Sequence, residues 1–326
     1  MHLVRSLPGG PLDIVGDVHG EIDALRTLLL QRLGYRADGT HPAGRTAVFI
    51  GDLVDRGEDS LATVRFVRSW IEAGRAACVL GNHELNLLLG KRRAGNEWFY
   101  GEEQGLPDGG GVVAQRVLGS DSERTELLEF FEPLPLALER EDLRVVHACW
   151  DDPSVAALRA ARGSARARFF AARDRIESAL AARGVHPERI EADVERQNAN
   201  AVAVCTSGLE RPAAAPFRAG GRMRRVERVA WWDEYREEPA VVFGHYWRGL
   251  LEADWPVHRG PYLFAGIAPE VALGPRRNAF CVDYSVGYRN VGRAHGDPQR
   301  RRNALAALRW PEREIVTDGD LAWRIG

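Results

Sequence analysis

Short apolar runs recur three times near the start of the chain, and each gives way to a turn of Gly, Asp, Asn and His and then to a helical pattern. LDIV leads through GDVHG into EIDALRTLLLQRL, TAVFI through GDLVDRG into SLATVRFVRSWIEAG, and AACVL through GNHE into LNLLLGKRR. A strand, a polar turn and a helix, repeated, predict the βαβ organisation of an α/β protein. The turns matter because ligands of open α/β sheets gather at the carboxyl ends of strands, where loops from several strands converge.

Beyond residue 95 the pattern loosens. A glycine-rich stretch runs over Gly109 to Gly111, and a helical segment from Glu123 to Phe131 is closed by Pro133 and Pro135. LRVVHACW predicts a fourth strand. Residues 155 to 205 predict two helices separated by Gly184 and Pro187, and the Pro, Gly and Arg of Arg211 to Arg228 predict a loop. PAVVFGHYW predicts a fifth strand ending in histidine. AFCVDYSVG and ALAALRW are further strand candidates, with a polar loop from Gly287 to Arg302 between them. The expected organisation is one domain over residues 1–326, with residues 155–230 a helical, Arg-rich insertion or cap.

Composition narrows the class. At 326 residues and 45% hydrophobic the chain can bury a large core. Its 44 basic and 46 acidic residues leave a net charge of -2, which excludes a bulk field demanding nucleic acid or an anionic membrane. The basic residues are almost all arginine, with Lys91 the one lysine, as genome composition would give. Cys78, Cys149, Cys205 and Cys281 are scattered, without the paired spacing of a zinc knot or a redox dithiol. No signal-peptide order and no apolar run near the roughly 20 residues of a membrane span is present, so a reduced, cytoplasmic protein is expected.

Asp17, His19, Asp52, Asn82, His147 and His245 all lie directly after apolar strands. Any one of them could be a helix cap or a solvent-facing side chain. Separate strand ends offering carboxylate oxygens and imidazole nitrogens together form the ligand set of a divalent metal site. The remaining histidines, His2, His41, His186, His258 and His295, are expected at the surface without partners. Cys149 is expected to be a packed thiol near the site. Trp231, Trp232, Trp247 and Trp255 are expected in aromatic core, with stacking on a nucleobase as the alternative.

The ordered set GDVHG, GDLVDRG, GNHE, VVHA and FGH resembles the calcineurin-like metallophosphoesterases, in their phosphoprotein phosphatase branch, which also contains symmetrical diadenosine tetraphosphatases. The resemblance covers roughly residues 12 to 150 and 239 to 285. It implies a four-layer αββα sandwich of two mixed β-sheets flanked by helices, with a helical insertion. It also implies two divalent metal ions, manganese foremost, with iron, zinc or cobalt as alternatives. Asp17, His19 and Asp52 would hold one ion, and Asp52, Asn82, His147 and His245 the other. Two such ions lower the pKa of a bridging water and clamp the phosphoryl oxygens for in-line attack. Arg56 would bind phosphoryl oxygens with its fork, Asn82 and His83 would face the substrate, and His83, oriented by Asp55, would protonate the leaving oxygen. Glu84 is expected to start a helix rather than take part.

His245 is followed by Tyr246 and Trp247 where generic metallophosphoesterases have a second histidine, which again points to the phosphoprotein phosphatase branch. A second phosphate-binding arginine is expected from a later segment, with Arg211, Arg218, Arg222 and Arg248 as candidates. The expected activity is hydrolysis of a phosphomonoester or phosphoprotein. The alternatives are hydrolysis of a dinucleoside polyphosphate and, in another class, a non-catalytic metal-containing binding protein.

Overall fold

Strands whose two faces are both covered must be apolar throughout, and alternate residues then enter different cores. In the computed structural model, which describes residues 1–105, 112–219, 222–250, 261–294 and 303–326, this division is complete enough to trace along each strand. The first half of the chain forms β1 (Val4–Ser6), β2 (Leu12–Val15), α1 (Ile22–Arg26, continued by a π-helical turn over Thr27–Arg32), β3 (Thr46–Phe49), α2 (Ser60–Glu72), β4 (Ala76–Cys78), α3 (Asn82–Leu88), α4 (Asp121–Phe131), β5 (Ala137–Glu139) and β6 (Leu143–Val146). Four helices follow: α5 (Asp152–Ala160), α6 (Ala165–Ala182), α7 (Ile190–Asn198) and α8 (Ala201–Ser207). The remainder gives β7 (Glu210–Ala219), β8 (Arg222–Arg228), β9 (Ala240–Phe243), β10 (Ala279–Cys281), β11 (Asp283–Tyr284), α9 (Arg289–Ala294), β12 (Ala304–Trp310), β13 (Glu314–Thr317) and β14 (Ala322–Arg324).

Two mixed sheets carry the fold, one in the order β1-β5-β6-β9-β10 and one in the order β14-β13-β12-β2-β3-β4 with β11 beside β12. Leu12 and Ile14 of β2, Val48 of β3, Leu143 and Val145 of β6, Val242 of β9, Phe280 of β10 and Leu308 of β12 fill the space between the sheets. Their neighbours Val15, Phe49, Val146, Val241, Phe243 and Ala307 turn outward into a second core shared with the helices. α2 packs beside β4, with Leu61, Val64, Val67 and Trp70 buried on one face and Asp59 accepting from Ala62 N at its start. α5 packs on β1 and α8. Trp231 and Trp232 lie against Phe243, ring centroids 4.9 and 5.2 Å apart. The result is the expected four-layer αββα sandwich.

Parallel pairing of β2, β3 and β4, and of β6, β9 and β10, points the carboxyl ends of both triplets the same way within each sheet. The expected strand-turn-helix units therefore appear as read, and so do the fourth and fifth strands. Residues 155 to 205 depart from expectation. They form four helices rather than two, because Ser164 and Asn200 each cap a new start, accepting from Ala167 N and from Val202 N and Ala203 N. Arg211 to Arg228 is also no loop. It forms the antiparallel pair β7-β8, interrupted between Pro212 and Phe217 where the register shifts around the second proline of the strand, Pro216. The glycine-rich stretch Gly109 to Gly111 and the later part of the Gly287 to Arg302 loop lie outside the described residues, while α9 occupies its first part.

Phe280 is fully buried between the sheets, so Phe280→Ala is expected to lower stability by about 3–5 kcal/mol, seen as a drop in the urea or thermal midpoint. Met223→Ala, on the exposed hairpin, is expected to change it by less than about 0.5 kcal/mol in the same measurement.

Candidate functional site

Each candidate side chain sits just past a strand, where the backbone turns sharply. His19, Asp52, Asp55, Arg56 and His245 all hold positive φ, from 49° to 73°. Non-glycine residues seldom adopt that region, and such strain gathers where the surrounding structure fixes a functional side chain. Glycines let the loops interlock. A Cβ on Gly244 would stand 2.1 Å from Asp17 Oδ1, and one on Gly81 would stand 2.2 Å from Asp52 Oδ1, so neither loop could approach its neighbour's carboxylate with any larger residue.

Asp52 lies at the centre. His147 Nε2 is 3.4 Å from its Oδ1, and His19 Nε2 and His83 Nε2 are each 3.8 Å from its Oδ2. Asp17 Oδ2 is 3.9 Å from His19 Nε2, and Asn82 Oδ1 is 3.2 Å from His147 Nε2. Donor atoms of His19, Asp52 and His83 come close enough together to share one ion, as do those of Asp52, His147 and His245. All six residues expected as ligands thus lie in one cluster, five of them buried and Asn82 half-buried. His83, expected as an acid beside the metals, stands as near to Asp52 as His19 does.

The donor chemistry fits divalent metal. His19 Nδ1 donates to Val54 O and His147 Nδ1 to Ile50 O, which turns each Nε2 lone pair inward, the arrangement usual for metal-binding imidazoles. His245 Nε2 is buried without a hydrogen-bond partner among the described residues. Burial, then Arg56, holds His19 well below the usual imidazole range, and burial, then Arg228, does the same to His245, which favours the neutral ring that a metal would need. Burial followed by the charge of Asp283 pushes the Asp17 carboxyl well above its usual range. Burial opposes a charged His147, yet Asp52 and then Asp17 carry its pKa up to about 10. A cluster that draws a proton onto a buried imidazole in this way is one that would accept a cation. Asp17, His19 and Asp52 would hold one ion and Asp52, Asn82, His147 and His245 the other.

Around this cluster stand groups suited to act on phosphate. His83 Nδ1 donates to Asp55 Oδ2 at 2.5 Å, and Trp98 Nε1 donates to Asp55 Oδ1 at 2.7 Å, so the carboxylate is held from both sides. Arg56 places Nη1 3.1 Å from His19 Nε2 and Nη2 3.3 Å from His83 Nε2, and its guanidinium lies 4.4 Å from the centre of the Trp247 ring. Asp283 accepts from the backbone N–H groups of Trp247 and Ser285, which fixes the loop that carries Trp247.

Of the arginines expected to supply a second phosphate contact, Arg248 is wholly buried and bonded to Ala268 O and Val271 O, which leaves it structural. Arg211 pairs with Glu227 on the exposed hairpin. Arg228, at the end of that hairpin, donates to His245 O at 2.9 Å, beside the fifth motif. Cys149 is a packed thiol, and Trp231 and Trp232 are core, as expected. Trp255, His258 and His295 lie outside the described residues. His41, expected to lack partners, bonds Leu33 O and accepts from Ala43 N.

Glu84 is the residue the sequence undersold. Its carboxylate is fully buried and accepts from the backbone N–H groups of Gly81, Asp52 and Leu53 at 2.7–3.0 Å, with Val54 N at 3.3 Å. It therefore ties the second motif to the third. An acid beginning a helix gives no local hint of partners some 30 residues away; only the pairing of β3 with β4 brings them together.

Glu84→Gln would set an amide N–H₂ against donors that require an acceptor, so manganese affinity measured by calorimetry is expected to fall about 10- to 100-fold, with a lower thermal midpoint.

Comparison with known proteins agrees with this geometry. Residues 10–159 match the model of the calcineurin-like phosphoesterase family. A bis(5'-nucleosyl)-tetraphosphatase PrpE [asymmetrical] of Halalkalibacterium halodurans is 34% identical over 148 residues, 42% of this chain and 56% of the relative. A symmetrical bis(5'-nucleosyl)-tetraphosphatase of Ralstonia nicotianae is 40% identical over 101 residues, 30% of this chain and 32% of the relative. The chain therefore spans about half the length of the first and a third of the second. Among solved structures, a cold-active protein-tyrosine phosphatase of a Shewanella species shares 13% identity at a TM-score of 0.49, covering 100% of this chain and 83% of that one, a loose likeness. The stretch of this chain similar to the calcineurin-like phosphoesterase family thus runs from just before β2 through the first four motifs.

Proposed function

We propose that the protein is a metal-dependent phosphohydrolase and that its substrate is a dinucleoside polyphosphate. The observation that carries the hydrolase is the position of Asp52, shared by two groups of buried donors. Bound there, divalent ions would activate a water and neutralise charge on the phosphoryl oxygens. The substrate class rests on the names of the relatives, which are tetraphosphatases of bis-nucleosides. Hydrolysis of a phosphomonoester or phosphoprotein stands as the second reading, favoured by Asp55 and Arg56 occurring together in the second motif.

The chain's own groups divide the work. Arg56, flattened on Trp247, presents its fork to two phosphoryl oxygens, and Arg228 adds a second cation from the side of His245. Asn82 lines the same space. As the water oxygen bonds to phosphorus and the bond to the leaving oxygen breaks, the proton on His83 Nε2 passes to that oxygen. Asp55 accepts from Nδ1 and so fixes the orientation of the ring, and Trp98 keeps Asp55 in place. His19, Asp52 and His147 are themselves almost wholly buried from bulk water.

Protein stripped with chelator and reloaded separately with manganese, iron, zinc or cobalt would be offered diadenosine tetraphosphate, p-nitrophenyl phosphate and a phosphoserine peptide, and the products resolved. Cleavage should need metal and be fastest on the dinucleotide, giving either ADP alone or ATP with AMP. His83→Ala is expected to lower kcat by about 10²- to 10⁴-fold. Faster release of phosphate from the peptide than from the dinucleotide would overturn the substrate class, and hydrolysis unchanged by Asp52→Asn would overturn the hydrolase.

A further inference from the structure

Arg56 carries the fork that the hydrolase reading gives to phosphate, and a fork grips two oxygens only when it is held at one angle. A carboxylate can hold a guanidinium so, but among the described residues Arg56 forms no ion pair. Its two ends reach His19 and His83, at 3.1 and 3.3 Å, and its body rests on an aromatic ring, 4.4 Å from the centre of Trp247. Where Trp247 stands therefore helps decide where the fork stands.

Trp247 is itself fixed through its backbone. Its φ is 56°, in the left-handed region, and such a conformation persists only where the surroundings impose it. Asp283 imposes it. The carboxylate, 1% exposed, accepts from Trp247 N through Oδ2 and from Ser285 N through Oδ1, each at 2.9 Å, and Asp283 O accepts from Arg248 N at 2.8 Å. One buried acid thus pins the turn after the fifth motif to the loop after β11. That loop closes on the site: a Cβ on Gly287 would stand 2.7 Å from His19 Cδ2, and the Tyr288 ring centroid lies 6.2 Å from that of Trp247. Burial lowers the Arg56 pKa, and Asp52 and then Asp283 act against it, so Asp283 also reaches Arg56 directly by its charge.

We propose that Trp247 is a positioning residue for phosphate binding, setting the angle of the Arg56 fork through its ring, and that Asp283 is the anchor that sets Trp247. The proposal rests on the hydrolase reading for the meaning of the fork, but it is tested by binding, which needs no turnover. Neither residue is among the six expected metal ligands, so the effect falls on phosphate and not on metal.

Orthophosphate would be titrated calorimetrically into manganese-loaded protein, and KM and kcat measured with diadenosine tetraphosphate. Trp247→Leu, which removes the aromatic face and keeps an apolar side chain, should weaken orthophosphate binding and raise KM about five- to tenfold, with kcat and manganese affinity changed less than about twofold. Trp247→Phe should recover most of that loss. Asp283→Asn, whose amide oxygen can serve one N–H where the carboxylate serves two, should weaken orthophosphate about fivefold in the native chain but less than about twofold when Trp247→Leu is already present. Unchanged phosphate affinity in Trp247→Leu, or equal losses in Trp247→Leu and Trp247→Phe, would overturn the positioning role, whether or not Asp283→Asn folds. A loss from Asp283→Asn as large with Trp247→Leu as without it would show the charge acting directly and overturn the anchor. Phosphate binding that depends on Trp247 without hydrolysis of any ester would sink the hydrolase alone. Metal-dependent hydrolysis with phosphate affinity indifferent to Trp247 would sink the positioning role alone.

Discussion

The fold is organised to keep one carboxylate charged where water cannot reach it. Burial opposes ionisation of Asp52, yet His147 and then His83 bring it well below the usual carboxylate range. An isolated buried charge would be untenable. This one survives because β2, β3, β4, β6 and β9 end around it and each delivers a donor or a ligand. Glu84 closes the arrangement by holding the backbone N–H of Asp52 itself. The strain at His19, Asp52 and His245 is tolerable because these turns leave strands whose both faces are packed, so no loop can relax without opening a core.

Most of the candidate site was legible from the chain because its residues follow strands directly. A strand fixes where its last residue points, and a turn such as GDVHG or GNHE leaves little freedom after it. The strand-end positions of Asp17, His19, Asp52, Asn82, His147 and His245 could therefore be read without tertiary knowledge, and the structure gathers them into one cluster. Asp283 and Trp98 were not legible. Asp283 works through the backbone of Trp247, and Trp98 through Asp55, partners 36 and 43 positions away in sequence. No local pattern marks such residues.

The middle of the chain was harder for a different reason. Alanine and arginine dominate residues 155 to 182, so helix is evident but its breaks are set by single capping residues, Ser164 and Asn200, whose hydrogen bonds decide the count of helices. The hairpin β7-β8 was hidden by its prolines, which ordinarily mark loops. It is an isolated two-stranded sheet, where strands have free edges and proline costs less. α6 and α7 join the main core only partly, and Ile176, Leu180 and Ala192 make a small core of their own.

Trp98 lies seven residues beyond Lys91, in the short 3₁₀ turn Glu97–Tyr100, and Asn96 Nδ2 donates back to Lys91 O. The indole that holds the Asp55–His83 pair and the ammonium that rests on the Phe169 ring are thus borne on one compact bracket of chain. A length change in that bracket would displace two things at once, the indole that fixes Asp55 beside His83 and the ammonium seated on the Phe169 ring.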